Sequence, residues 1–287
     1  MQSLVSSIRL TSSWAKVYNI TTLSCSKSSS SINYSNQSRG GLPRFFAQTL
    51  PSAKGDVVRV EGDEFWHITK VMRLNVNDRI ELFNGKGGLI EACIQKIDRI
   101  GVHLMALEKP RTMLPWGIQW HVYAAFGSLK GGRADWLLEK CTELGASSVT
   151  PLLTKHSNSI SDNRIDRLER VILAAEKQCQ RLHGMTLRPP ISINDLLPAV
   201  AQSEVCFLAA AEAIPIFKAI SSLTVKSSGL LIVGPEGDLT RKESDMIVEA
   251  GAVSVGLGAH RLRVETATVA LLSTVMLWSD SQDVPNN

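Results

Sequence analysis

Leu230-Leu231-Ile232-Val233-Gly234-Pro235-Glu236-Gly237 is four apolar residues followed by a glycine-bounded turn. A short, uninterrupted apolar run of this kind reads as a strand buried on both faces, as in a parallel sheet. Thr240-Arg241-Lys242-Glu243 comes next, with threonine and glutamate at the spacing of a capping box, so a helix begins there. The order then repeats. Val253 to Leu257 is a second apolar strand, Gly256-Leu257-Gly258 through Arg263 is a second loop, and Val264-Glu265-Thr266-Ala267 opens a last helix reaching Trp278. In open α/β sheets ligands bind beyond the carboxyl ends of the strands. Glycines there let backbone N–H and C=O groups approach a ligand closely. GPEG alone is a weak signal that also fits a plain tight turn; two such loops flanked by Arg and Glu are more specific.

The same alternation extends toward the N-terminus. Ile118 to Ala125 is a strand. Arg133 to Leu144 is a helix, with Leu137, Cys141 and Leu144 on one stripe and Gly145 as its stop. Val149 to Leu153 is a strand, Ile165 to Leu182 a long helix, and Val205 to Ala209 a strand. Residues 118–280 therefore form an α/β domain. Residues 44–113 read differently. Val57 to Val60 is a strand, and Asp63, a plausible N-cap, starts a helix reaching Met72, with Phe65, Ile68 and Met72 on one face. Arg79 to Phe83 alternates, Asn84-Gly85 opens a tight turn, and Leu89 to Ile97 and His103 to Leu107 add strands. Short strands at this spacing point to a small β-barrel, with Lys109 to Pro115 as linker.

Composition removes several classes. Hydrophobic residues make up 44% of the 287, enough to bury a core. The longest apolar stretch, Val269 to Trp278, is about half of the roughly 20 residues a membrane span needs, so no membrane partner is expected. Five cysteines with no CxxC pair exclude a disulfide scaffold and a zinc ribbon, and Cys93, Cys141, Cys179 and Cys206 read as reduced core residues. The six histidines, at 67, 103, 121, 156, 183 and 260, lack metal-ligand spacing, so no metal is expected. There is no GxGxxG opening a βαβ unit, no P-loop, no nucleophile elbow and no HExxH.

The net charge of +4 comes from one end. Arg9, Lys16, Lys27, Arg39, Arg44 and Lys54 precede the first acidic residue, Asp56; without them 25 basic residues face 27 acidic ones. Bulk charge thus supplies no attraction to nucleic acid, and an RNA partner would need a local patch. Residues 1–43 are rich in Ser and Thr, include Ser28-Ser29-Ser30-Ser31, and carry scattered Arg and Lys without acid. They lack the apolar core of a secretory signal and fit an organelle transit peptide. An ordinary tail is the alternative reading. Serine richness favours chloroplast, with mitochondrion second.

The chain resembles the bacterial small-subunit ribosomal RNA uridine N3-methyltransferases, the RsmE-type members of the SPOUT superfamily, in an organelle-targeted, plant-like form. The resemblance covers about residues 44–280. It rests on Arg44-Phe45-Phe46, His67-Ile68, Val71-Met72-Arg73, Asp78 and Leu82-Phe83-Asn84-Gly85. It continues through Lys130-Gly131, Arg133, Asp135, Lys140, Glu143-Leu144-Gly145, Pro151-Leu152, Gln178 and Arg181. Gly234-Pro235-Glu236-Gly237 and Leu257-Gly258 with Leu262-Arg263-Val264-Glu265-Thr266-Ala267 match the two cofactor loops of that family. The resemblance implies a PUA-like RNA-binding domain over 44–113 and, over 118–280, a SPOUT methyltransferase domain with a C-terminal trefoil knot. It further implies a homodimer that binds S-adenosylmethionine and acts on small-subunit rRNA or the assembled subunit. Leu208, Gly234, Pro235, Glu236, Gly237, Gly256, Leu257, Gly258 and Leu262 would hold the cofactor. The chain departs from the family pattern at Asp238, usually a second Gly, and at Ala259-His260-Arg261, commonly Pro-Arg-Ile. A few residues are also added between Arg181 and Pro189.

Methylating N3 of uridine requires an in-line methyl donor, removal of the N3 proton and stabilisation of charge on O2 or O4. Glu236 and Glu265 are the candidate bases, and Arg263 the candidate for charge stabilisation. Glu265 could instead complement the dipole of the last helix. Arg263 could instead grip a phosphate or form a structural salt bridge. Arg44, Lys70, Arg73, Lys130 and Arg133 are the candidate RNA contacts; Arg44, beside two phenylalanines, could anchor the small domain or stack on a base. The Arg164, Arg167, Arg170 run, interleaved with acids, reads as an exposed helix face. A non-catalytic RNA-binding role, motivated by Asp238 and His260, and methylation of a ribose hydroxyl or another base stay open from the sequence.

Overall fold

The structure, a computed structural model, describes residues 41–157, 160–221, 223–224 and 227–282. Apart from residues 41–43, the segment read as a transit peptide lies outside them.

The alternating apolar residues between 44 and 112 build a six-stranded sheet. Its elements are β1 (Arg44–Phe46), β2 (Val57–Glu61), α1 (Gly62–Trp66), β3 (Arg79–Phe83), β4 (Gly88–Ile97), β5 (Gly101–Ala106) and β6 (Arg111–Thr112). The pairing path is β1-β3-β4-β5-β2, with β6 on β4. No pairing joins β1 to β2 among the described residues, so the hydrogen-bonded sheet is open rather than a closed barrel. Phe45, Ile80, Leu82, Ile90, Ile94 and Leu104 fill one core with Ile68. The helix expected over 63–72 starts one residue earlier, with Glu61 rather than Asp63 at its cap, and α1 gives way to a π-helical turn, His67–Val71. The Met72 N–H donates to the His67 carbonyl five residues back, the wider turn that swings Ile68 fully inward.

From Gln119 onward every sheet pairing is parallel. The elements are β7 (Gln119–Ala124), α2 (Arg133–Leu144), β8 (Ser148–Leu153), α3 (Asp162–Cys179), β9 (Thr186–Leu187), β10 (Ile191–Ser192), α4 (Ile193–Gln202), β11 (Cys206–Pro215), α5 (Ile216–Ile220), β12 (Ser228–Val233), α6 (Arg241–Glu249), β13 (Val253–Gly256) and α7 (Val264–Gln282). The order is β10-β8-β7-β12-β11-β13. Side chains of each strand alternate between the two faces. Trp120, Val122, Phe207, Leu231 and Val233 face a core shared with α2, α3 and α7. Leu208, Leu230 and Ile232 face a second core with Leu196 and Val200 of α4 and Ile247 of α6. Burial on both faces explains why these strands are apolar throughout. The Trp120 indole donates to Ser279 Oγ at 2.9 Å, fixing α7 against β7.

Two expectations about charged residues change. Arg44 is 4% exposed and its guanidinium donates twice to Glu81, at 3.0 and 2.7 Å, so it anchors β1 to β3 rather than facing RNA. Arg164 donates to the carbonyls of Gly127 and Leu129 and so ties α3 to the segment before α2, whereas Arg167, paired with Asp135 of α2, and Arg170 lie on the exposed face that the sequence suggests. The long helix ends at Cys179, not Leu182, because Gln180 turns left-handed at φ 57°. The residues that follow dock onto the β3–β4 hairpin: Gly87 N–H donates to Leu182 C=O at 2.7 Å and Gly184 N–H to Gly85 C=O at 2.8 Å. Phe83, Leu89 and Leu182 close that junction with a small apolar cluster.

Candidate active site

β11, β12 and β13 are neighbours with their carboxyl ends on one side. The three segments leaving those ends enclose a cavity of about 620 Å³, within the range of small-molecule sites. Leu208, Gly234, Pro235, Leu257, Gly258 and Leu262 line it, as expected from the sequence. Gly237, Gly256 and Glu236 do not. Gly256 acts from behind: a Cβ there would lie 2.8 Å from the Ala213 carbonyl oxygen, so only glycine lets β13 pack against the bulge of β11. Gly258 sits in the lining at φ 122°, a conformation that side-chain-bearing residues rarely adopt.

Part of the lining escaped sequence reading. Ala209, Ala210, Ala211 and Glu212 form one wall. There β11 loses register with β13 between Ala209 and Ile214, and Glu212 is left-handed at φ 62°. A non-glycine residue in that region is worth noting at a ligand site. Val233, Asp238, Leu239, Ser244, Ala259, His260, Arg261, Val264 and Ala267 complete the lining. Asp238 and Ala259-His260-Arg261 are the departures from the family pattern noted above, which was the available signal for them. The lining combines apolar walls (Leu208, Leu239, Leu257, Leu262, Val264) with charge of both signs (Glu212, Asp238, Arg261).

The candidate catalytic residues separate. Arg263 is exposed; its carbonyl accepts from the Ala267 N–H at 2.8 Å, while its guanidinium makes no hydrogen bond or ion pair among the described residues, acts on Glu265 only through its charge, and is available to a substrate. Glu265 is 8% exposed, at the start of α7. Its two oxygens accept from Nε and Nη2 of Arg133, both at 2.8 Å, in a bidentate pair across 132 positions of sequence. The same Nη2 donates to Glu236 Oε1 at 2.5 Å. Burial alone would push the Glu265 carboxyl up, but the Arg133 hydrogen bonds and the helix backbone outweigh it and hold the carboxyl below its ordinary range. The two glutamates raise the pKa of the Arg133 guanidinium in turn. Arg133, expected to contact RNA, instead joins the starts of α2 and α7 to the loop after β12. Glu265 is correspondingly a structural carboxylate and a poor base. Lys70, Arg73 and Lys130 are exposed and without ion pairs among the described residues.

A pocket at the carboxyl ends of the strands is common to open α/β sheets, and the family matches are what define the class here, an RNA methyltransferase. Residues 118–276 match the RNA methyltransferase domain family, and residues 60–104 the PUA domain of RNA methyltransferases. The ribosomal RNA small subunit methyltransferase E of Bacillus subtilis is 31% identical over 227 residues, covering 75% of this chain and 88% of that one. Its counterpart in Rickettsia conorii is 30% identical over 234 residues, covering 78% and 91%. The chain belongs to the ribosomal RNA small subunit methyltransferase E family. Among solved structures, a probable rRNA-methyltransferase from Porphyromonas gingivalis matches with a TM-score of 0.70 at 26% identity, over 84% of this chain and all of that one (100%). Neisseria gonorrhoeae ribosomal RNA small subunit methyltransferase E bound to S-adenosyl methionine shares the fold, with a TM-score of 0.67 at 24% identity over 83% and 98%.

Proposed function

We propose that this protein transfers a methyl group from S-adenosylmethionine to N3 of a uridine in small-subunit ribosomal RNA. The observation that carries this reading is the cavity at the ends of β11, β12 and β13 in a chain of this family. Its chemistry fits the cofactor. Apolar walls from Leu208, Leu239, Leu257 and Leu262 suit an adenine ring, and the Glu212 carboxylate suits the ammonium of the methionine part. Residues 209–211, 234 and 257–259 also line the cavity. When bound, the cofactor supplies an electrophilic methyl on a sulfonium. Arg263 would donate to the uridine carbonyl that gains charge as the N3 proton leaves. Of the two candidate bases, Glu236 keeps one oxygen that Arg133 does not engage, and it is the better acceptor for that proton.

We take the exposed Lys70, Arg73 and Lys130 to contact the RNA or the assembled subunit. The resemblance supports a trefoil knot at the C-terminus, and so does the path of the chain, which places β12 and β13 on either side of β11 before α7 returns to pack on β7 and β12. It also supports a homodimer, consistent with Leu277 and Trp136 being exposed on the packed helices α7 and α2; a monomeric mass by light scattering would oppose this. Residues 1–43 are proposed to direct import. A fluorescent fusion of residues 1–55 is expected in chloroplasts, with mitochondria second, and a cytosolic signal would refute the proposal.

Calorimetric titration tests the cofactor site. Wild type is expected to bind S-adenosylmethionine, and folded Gly258→Val to bind it about tenfold more weakly or worse, because valine at this φ carries strain of about 1–3 kcal/mol. Unchanged affinity in the variant would place the site elsewhere.

A further inference from the structure

Two of the residues that line the cavity, one from each loop, hold each other. Asp238, in the loop between β12 and α6, is left-handed at φ 60°. Its carboxylate accepts from Arg261 Nη2 at 2.7 Å, and Arg261 belongs to the other loop, between β13 and α7. The same nitrogen donates to the Glu236 carbonyl at 2.9 Å. On its far side the Asp238 carbonyl lies 3.0 Å from His156 Nδ1, so that ring donates to it and a third segment, after β8, steadies the turn. The side chains of Arg261 and Asp238 are 66% and 72% exposed. Ion pairs this exposed add little to fold stability, which leaves the left-handed Asp238 unexplained by stability. Both residues line the cavity. Arg133 ties the GPEG loop to α7 through Glu236 and Glu265, and Arg261 ties the same loop to its neighbour.

We propose that Arg261 and Asp238 are a positioning pair for the cofactor, fixing the separation of the two loops so that their backbone groups and Gly258 present a preformed site. The inference rests on the reading of the cavity as the S-adenosylmethionine site. Preorganisation of this kind shows in ligand affinity rather than in the stability of the free protein.

A double-mutant cycle on the full chain tests it, using Asp238→Asn, which keeps a residue tolerant of the left-handed turn, and Arg261→Gln. S-adenosylmethionine affinity is read by calorimetry, and KM for cofactor, KM for RNA and kcat by methyl transfer. Each single variant is expected to lose about fivefold in cofactor affinity, the upper end for an exposed pair. The double variant should lose no more than either single one. The deficit should shrink in about 1 M salt, where the screening length is about 3 Å. Arg261→Lys should recover part of it. KM for RNA and the melting temperature without cofactor should stay at wild-type values. A loss for Arg261→Gln with none for Asp238→Asn would overturn the pairing and make Arg261 a direct ligand contact. A shift in KM for RNA alone, or melting temperatures that fall in step with affinity, would overturn it as well. Failure of wild type itself to bind S-adenosylmethionine would overturn the reading of the cavity, an outcome distinct from wild-type binding with unaffected variants, which overturns the pair only.

Discussion

Arg263→Lys is expected to bind S-adenosylmethionine as wild type does and to lose about 10²–10³ in single-turnover rate at saturating RNA, the usual cost of removing one preorganised donor. The expectation follows from where the structure leaves this residue. The Arg263 side chain is exposed and makes no hydrogen bond or ion pair among the described residues, one position before α7 begins, whereas the neighbouring Arg261 is held by Asp238 and Glu236. Its guanidinium presents a planar fork of donors that suits a uridine carbonyl gaining negative charge. Lysine keeps the charge and loses the fork. If Arg263 only grips a phosphate, the variant should bind RNA more weakly and saturating RNA should restore the rate. A near wild-type single-turnover rate would remove Arg263 from the chemical step.

Arg133→Ala carries the largest expected loss of stability, about 3–5 kcal/mol, because it strands the buried Glu265 carboxylate without its bidentate partner. Equilibrium denaturation measures it. Glu265→Gln in the Arg133→Ala background should recover part of the loss, since a buried amide costs less than a buried charge. The pH dependence has a definite sign. In wild type the folded Glu265 carboxyl is depressed below its unfolded value. That contribution is therefore present above the unfolded carboxyl pKa and is lost as pH falls through the folded one. In Arg133→Ala the unpaired carboxyl is raised by burial, so its penalty should ease as pH falls toward the ordinary carboxylate range. Equal stability of wild type and Arg133→Ala at neutral pH would show the cluster to be unimportant for the fold.

Much of the fold was legible where local chemistry decides structure. β3 and α2 fall at the expected residues, because alternation in one and a helical stripe in the other leave no competing pattern. The capping box of α6 is complete, with Thr240 Oγ1 accepting from Glu243 N–H and Glu243 accepting from Thr240 N–H. What was missed depends on tertiary partners. The expected end of β11 is Ala209; the following Ala-Ala-Glu-Ala has helical propensity and forms a bulge without partners on β13, and the strand resumes only where Ile214 and Pro215 pair with Val255 and Gly256. α4 carries Pro198 in its interior, which hides a helix from pattern reading. β1, β9 and β10 are two or three residues long, too short for any period to show.

The site divides along the same line. The two glycine loops, and with them Gly234, Pro235, Leu257, Gly258 and Leu262, were readable because a βα loop announces itself by glycine after an apolar run. The roles of Arg44 and Arg133 were not. Each faces a carboxylate brought close only by folding, Glu81 at 37 positions and Glu265 at 132, and no sequence spacing distinguishes such an arginine from one that awaits a phosphate. In the sequence Arg261 is a displaced positive charge and Asp238 a replaced glycine, and only the structure joins them.

The most direct test of the function is nucleoside mass spectrometry after the full chain is incubated with S-adenosylmethionine carrying a deuterated methyl group and with undermethylated small ribosomal subunits. The account predicts a deuterated methyl on N3 of uridine in small-subunit rRNA, absent when Arg263→Lys replaces wild type for a single-turnover interval. A label on a ribose hydroxyl or on another base would contradict the assigned chemistry, and no label at all, with S-adenosylmethionine left intact, would contradict the assignment of this chain as an active methyltransferase.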